Sequence, residues 1–284
     1  CAYQLGIETD NEFGNASILS TDPTRLRQAL ATHDVVVVTG AQGLSASGTP
    51  ALLGRNSSDY SAVVVASLLN LDEVEIFSEV DGVYQADPKL VDRPQLMPHV
   101  GYTQLMDMSL RGAKVLHPYA VGEALRFGIS VLCRNVRDFE GQFTRVGPDH
   151  EDFYAVTQMD RVSLARVGSR AQAELVISSF CDQSRGLFPV AHESSYVVAF
   201  CNTRHDLIRD MRDEGIDVIE KSPFSLVSIL GHTYEPKSML VPTERVGDTV
   251  RKIYASLEPF SSTGTNTEGL RTEATIPAPS SPLK

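Results

Sequence analysis

The sequence predicts an α/β fold, a largely parallel sheet flanked by helices, followed by an α+β region. Three observations carry that expectation. Residues 35–38, 74–77 and 129–133 are short, β-branched apolar runs bounded by turn signals, as strands covered on both faces require. Helical patterns lie between these runs, which makes the strand connections crossovers. Beyond about residue 137 the pattern changes to short strands alternating with amphipathic helices, the signature of small α+β sandwiches.

Taken in order, the run at 35–38 is followed by Thr39-Gly40-Ala41-Gln42-Gly43, a glycine-rich exit from a strand. Ser58 and Asp59 form an N-cap-like pair before residues 60–71, whose Ala, Val and Leu content reads as a helix buried on nearly every side. The strand at 74–77 comes next. Residues 103–109 read as an amphipathic helix, and 121–127 as another that stops at Gly128 before the strand at 129–133. The polar stretch 138–152, with Gly141, Gly147 and Pro148, reads as a linker. Strands are then expected at 162–167, 187–190, 196–201, 216–219 and 225–230, and helices at 171–181, 204–214 and 244–257. Residues 261–284, rich in Ser, Thr, Pro and Gly, are expected to be a disordered tail. The expected domains are therefore 1–137 and 153–260, joined by the linker.

Composition excludes several classes. The 284 residues carry 25 Lys plus Arg against 36 Asp plus Glu, a formal charge of −11, where a nucleic-acid binder would show a basic stripe. No run approaches the roughly 18 apolar residues of a membrane span, so no membrane partner is expected. Cys1, Cys133, Cys181 and Cys201 lie far apart with no C-x-x-C pair, as expected of free thiols in a reducing cytoplasm. The sequence begins with Cys rather than Met, so a preceding part is expected.

Three stretches can carry chemistry. Glycines past a strand end, here Gly40 and Gly43, let backbone N–H groups approach an anion, and the opening of the helix after residues 53–62 adds unpaired donors and a favourable dipole. Arg55 can grip a carboxylate in bidentate fashion, and Asp59 can orient a cation or a phosphoryl-transfer centre. Taken alone, the same residues are also plain helix caps and a solvated arginine. The second stretch, 78–89, leaves the carboxyl end of a strand, where open α/β sheets place ligands; it reads equally as a hairpin excursion. The third, 111–118, sets Lys114 at a helix junction within reach of a nucleotide, and a lone lysine there is as well read as solvated.

Together the stretches resemble one family. G-R-N-S-S-D-Y-S-A at 54–62 is similar to the aspartate kinase signature G-R-G-G-S-D-[YT]-[ST]-A, S-E-V-D-G-V-Y-Q-A-D-P-K at 78–89 to its T-D-V-x-G-[IV]-Y-x-x-D-P-R, and G-A-K-V-L-H-P at 112–118 to its G-A-K-V-L-H-P. The loop at 40–43 resembles the family's G-F-x-G, with Ala41 in place of Phe. The resemblance covers roughly 11–136, with a looser likeness beyond it to the family's ACT regulatory domains, in one or two units.

The resemblance implies an amino-acid-kinase fold that phosphorylates the β-carboxylate of L-aspartate, or of a related acidic amino acid, with ATP and Mg2+, and a homodimer formed through the ACT-like region. It implies that Arg55, Asn56, Ser57 and Ser58 hold the amino acid, that Asp59 organises the transfer centre, and that Gly40, Gly43, Ser78, Glu79, Tyr84, Lys89, Lys114 and Val115 line the ATP site. No protein-bound metal is expected. The nucleophile is the substrate's own carboxylate, and the protein's part is positioning and charge neutralisation.

The sequence also departs from the pattern. The family's K-[FY]-G-G strand-loop does not occur in these 284 residues, so the chain is expected to be a fragment of a longer product, nearly inert as a kinase alone. The signature's two central glycines are Asn56 and Ser57, Thr-Asp is Ser78-Glu79, and the last Arg is Lys89, without a bidentate fork. An aspartate kinase is the first reading. A degenerate kinase-like partner subunit that binds nucleotide without turnover is the second, and another acylphosphate-forming kinase, for glutamate or carbamate, is a third.

Overall fold

A computed structural model describes residues 2–149, 153–180, 186–192, 195–201, 205–231 and 234–257. The expected disordered tail, and Cys1 and Cys181, lie outside them. The chain opens with β1 (Ile7–Thr9), β2 (Ile18–Thr21), α1 (Thr24–Leu30), β3 (Gln42–Ser45) and β4 (Pro50–Leu52). These four strands form one sheet in the order β2-β1-β3-β4, with β1 and β3 parallel. The run at 35–38 is not a strand. Val35 is 77% exposed and Val37 90%, and no ladder partner faces them among the described residues. A β-branched run gains its preference for a strand from neighbours it packs and bonds with, and here only Val38 packs on the core while the exposed Val35 and Val37 do not.

Next come α2 (Ser58–Leu68), β5 (Glu73–Ser78), β6 (His99–Gly101), α3 (Tyr102–Leu110), α4 (Pro118–Phe127), β7 (Ser130–Asn135) and β8 (Asp138–Gly147). The sheet order is β5-β7-β8-β6, with β5–β7 and β6–β8 parallel and β7–β8 antiparallel. The stretch read as a linker therefore forms β8 over most of its length. Its carboxyl half buries Thr144, Val146 and Gly147 between two partner strands, while its polar first half stays exposed, and that half hid the strand in the sequence. α2 buries Tyr60, Val63, Val64 and Ala66 against Val121 and Ala124 of α4 and Val131 of β7. Burying each Val or Leu here stabilises by about 1.5–3 kcal/mol, enough to fix the helix against the sheet despite its many β-branched residues. α4 ends at Gly128, φ 67°, where a left-handed residue closes the helix as expected.

The second region has two nested units. β9 (Tyr154–Met159) is followed by β10 (Ser163–Val167), α5 (Arg170–Phe180), β11 (Leu187–His192), β12 (Ser195–Phe200), α6 (His205–Asp213) and β13 (Val218–Ile219). From β10 onward this is a β-α-β-β-α-β unit whose antiparallel sheet runs β11-β12-β10-β13, the ferredoxin-like order expected of an ACT-like unit. β14 (Phe224–Gly231), β15 (Tyr234–Pro242) and α7 (Val246–Leu257) are the last elements of the described residues, and β14 pairs back with β9. The first unit is thus inserted between two paired strands of the second, whose sheet is β15-β14-β9.

One segment joins the regions. Residues 85–95 leave the first region as an excursion closed by backbone bonds from Met97 to Val83 and from Gln85 to Gln95. Its Ala86 and Val91 are buried in the core of the second region, with Val156, Val227, Val250 and Tyr254.

Candidate active site

The loop before α2 is shaped by its residues one by one. Gly54 has φ 110°, and a Cβ there would come within 2.6 Å of the Asn15 amide oxygen and 3.5 Å of His117 Nε2. Asn56 takes φ 59° and Ser57 φ −100°, so of the two residues replacing glycines only the asparagine carries the left-handed conformation it tolerates. Ser57 is fully buried and its hydroxyl donates to the Gly54 carbonyl at 2.8 Å, holding the loop closed. Ser57, rather than Ser58, is the residue before the first turn, and no side chain caps that end. The first-turn amide of Tyr60 is taken by the Asp59 carboxylate, and that of Ser58 faces the loop. Arg55, Asn56 and Ser58 are exposed around it.

Two further segments close on the same helix end. A Cβ on Gly40 would stand 2.6 Å from Ser61 Oγ, and the Ala41 N–H donates to that hydroxyl at 2.9 Å. This sets 40–41 against the first turn of α2, with Ala41 at φ 62°. Gly43 does not share that role: it lies buried inside β3, and a Cβ would meet Thr9 at 2.3 Å, so its glycine serves strand packing.

Asp59 is 8% exposed. Its Oδ1 accepts from the Tyr60 N–H at 2.8 Å and its Oδ2 from the His117 N–H at 2.5 Å. Desolvation raises its carboxyl above the ordinary range, and these amide bonds oppose the rise without cancelling it. His117 caps α4 by accepting from the Tyr119 N–H on Nδ1 at 3.3 Å and stacks on Tyr60 with centroids 6.0 Å apart. Burial holds its imidazole below the ordinary histidine range, with the Asp59 charge pulling the other way. Neutral with Nδ1 accepting, the ring carries its proton on Nε2, the nitrogen facing Gly54.

A second cluster forms at the carboxyl ends of β5 and β7. The Tyr84 hydroxyl donates to Asp81 at 2.9 Å, and Asn135 Nδ2 donates to the other Asp81 oxygen at 2.8 Å. Burial first, then the hydrogen bond to Asp81, keeps the Tyr84 phenol protonated beyond its ordinary range. Ser78 bonds both ways with Val80, turning the chain beside exposed Glu79. The clusters meet under Cys133 of β7. Burial, then the Asp59 charge, pushes that thiol up to about 12. Cys133 pairs with Thr144, whose hydroxyl accepts from the Val83 N–H, one residue from Tyr84.

Lys89 is exposed, its N–H donating to Asp87 at 2.9 Å. Lys114 is exposed at the border with the second region: burial raises the Cys201 thiol and the Lys114 charge lowers it. Val115 packs against the core of the first region. Gly40, Arg55 to Asp59 and His117 thus share one helix end, Ser78, Glu79 and Tyr84 share the adjoining strand ends, and Lys89 and Lys114 lie toward the second region. Asp81, which lies in the second stretch with no role assigned to it, and Asn135, which carried no signal, are the residues the sequence reading missed.

Among the described residues no group of three or more His, Cys, Asp or Glu gathers as a metal cage. A Mg2+ held by phosphates needs only one or two carboxylates, and Glu79, exposed at the end of β5, can offer one. Amides at a helix end beside strand termini suit phosphate oxygens, so these residues fit ATP and Mg2+.

Residues 1–135 match the model of the amino acid kinase family. The chain is 40% identical over 133 residues to an aspartokinase of Thermus thermophilus, spanning 47% of this chain and 33% of that one. It is 36% identical over 132 residues to aspartokinase 1 of Bacillus subtilis, spanning 46% and 33%. The matched stretch therefore spans about a third of the length of these relatives. In structure, the chain is similar to E. coli aspartokinase III in complex with aspartate and ADP, with a TM-score of 0.71 and 20% identity over 89% of this chain and 68% of that one. The aspartate kinase of Clostridium acetobutylicum gives 0.61 and 15% over 90% and 69%. These structural likenesses speak for the fold of both regions.

Proposed function

We propose, from the match of residues 1–135 to the amino acid kinase family model, that this protein transfers a phosphoryl group from ATP to the β-carboxylate of L-aspartate, giving 4-phospho-L-aspartate. The observation that carries the reading is the meeting of two signature stretches at one helix end, where the buried Asp59 carboxylate is tied to the His117 N–H. Aspartokinases at 40% and 36% identity, and the aspartate and ADP bound to E. coli aspartokinase III, support aspartate and nucleotide as ligands.

Arg55 and the backbone of Asn56 to Ser58 hold the acidic amino acid at the open end of α2, where amides and guanidinium together favour an anion. Gly40 lets the backbone approach beside them. Ser78, Glu79, Tyr84, Lys89, Lys114 and Val115 border the nucleotide, and Asp59 orients the transfer centre between the two. Mg2+, when bound with ATP, supplies charge neutralisation of the phosphates. The acceptor needs no side-chain base, because a carboxylate is already ionised at neutral pH. The ACT-like region is read as the homodimer contact.

A second reading, a nucleotide-binding partner subunit without turnover, draws on the same site: both Asp59 oxygens are taken by backbone N–H groups. An ATP-dependent aspartyl-hydroxamate assay separates the two. It is run on the protein as its reading frame encodes it, with L-aspartate, L-glutamate and carbamate as acceptors. Product from L-aspartate alone supports the kinase, MgADP binding without product supports the partner subunit, and neither binding nor product sinks both.

A further inference from the structure

The excursion that carries Lys89 is held chiefly from the second region. β9 contributes a backbone bond from Val156 N–H to the Gln85 carbonyl at 2.7 Å and a side-chain bond from Gln158 Nε2 to Asp87 Oδ2 at 2.9 Å. The other oxygen of that carboxylate, Asp87 Oδ1, accepts the Lys89 N–H. From α7, the Tyr254 hydroxyl accepts the Gln95 N–H at 2.9 Å, and Arg251 donates to the Leu90 carbonyl at 3.0 Å. The segment leading to Lys114 rests on the same strand: Gly112, at φ 97°, lies so close that a Cβ would stand 2.3 Å from the Gln158 carbonyl. Just before it, Arg111 donates to Ser238 of β15 at 2.9 Å and lies 4.4 Å above the Phe188 ring of β11.

One residue, Gln158, therefore meets both lysine-bearing segments, one through its side chain and the other through its carbonyl. We propose that Gln158 is a positioning residue of the nucleotide site, its amide fixing Asp87 and through it Lys89 at the height where the Gly112 to Lys114 segment also rests. The inference builds on the nucleotide reading above. It assigns the placement of Lys89 and Lys114 to β9, a strand with no residue in any of the three signature stretches. A half-buried amide bonded to a carboxylate is suited to this: it fixes direction at both ends while adding no charge that would compete with phosphates for the lysines.

The test is isothermal titration of MgADP into the full 284-residue chain and into three variants, with the melting temperature recorded for each. Gln158→Ala should weaken MgADP about threefold to tenfold at a nearly unchanged melting temperature, because a hydrogen bond to a charged group is lost but no buried apolar area. Gln158→Lys, whose ammonium can donate to the same Asp87 oxygen, should recover most of the affinity. Tyr84→Ala reports on the nucleotide site itself. If Tyr84→Ala loses affinity while Gln158→Ala binds like the parent, the positioning role is wrong and the nucleotide reading stands. If Gln158→Lys is as weak as Gln158→Ala, the link to Asp87 is not what matters, and the proposal falls. If the parent chain does not bind MgADP, or Tyr84→Ala binds as well as the parent, the nucleotide reading fails and takes this inference with it.

Discussion

The His117 N–H donates to the Asp59 carboxylate at 2.5 Å, and that single bond ties the first turn of α2 to the cap of α4 across 58 residues of chain. It brings two of the signature stretches together, and it makes Asp59 a structural residue as well as a candidate catalytic one.

Removing the carboxylate should therefore cost stability. Asp59→Ala leaves the part-buried His117 amide and the buried Tyr60 amide without their acceptor, a loss of about 1–3 kcal/mol in urea denaturation. Asp59→Asn keeps an acceptor oxygen and should lose less. Equal stability of the alanine variant and the parent would show that the two amides find other partners.

The pH dependence of stability follows from His117. Its folded pKa lies below the unfolded one, first because burial disfavours the imidazolium, so the unfolded chain takes up the proton first as pH falls. The stability present above the ordinary histidine pKa of about 6.5 is then lost as pH drops toward the folded value. His117→Asn, which can still cap α4, should flatten the fall in melting temperature between about pH 7 and about pH 5. A variant profile as steep as the parent's would assign the dependence elsewhere.

The backbone of the loop before α2 gives a third test. Asn56 sits at φ 59°, so Asn56→Val should destabilise by roughly 1–2 kcal/mol while Asn56→Gly stays near neutral. Thermal melts of the two variants check it, and a neutral valine would mean that the loop relaxes out of the left-handed region.

At the junction of the regions, Gly112→Ala should cost about 1–3 kcal/mol, since a methyl would press on the Gln158 carbonyl and the positive φ disfavours it as well. The effect should be largest in hydrogen exchange of β9 and of residues 85–95. Unchanged protection there would separate Gly112 from the excursion.

How much of this was legible in the sequence depends on where each element's partners lie. α3, α4, β5 and the strands and helices of the ferredoxin-like unit carry their periodicity and stop signals locally, Gly128 among them. β1, β2 and β4 are three or four residues long and are strands only because β3 and one another complete their ladders. β8 was hidden by its exposed polar half, and residues 35–38 misled because a run of valines promises a strand that only a neighbour can deliver. In the site, the motif residues were visible because their types carry chemistry. Asp81 bonding Asn135, and Gln158 bonding Asp87, are pairings across distant chain positions, which periodicity and local motifs do not encode.

The most direct test of the central claim is aspartyl-hydroxamate formation by Asp59→Asn, measured beside MgADP titration of the same protein as its reading frame encodes it. With Asp59 orienting the transfer centre, hydroxamate formation from L-aspartate should fall by a factor of about 100 or more while MgADP affinity stays within about threefold. A variant that turns over at the parent rate would contradict the account.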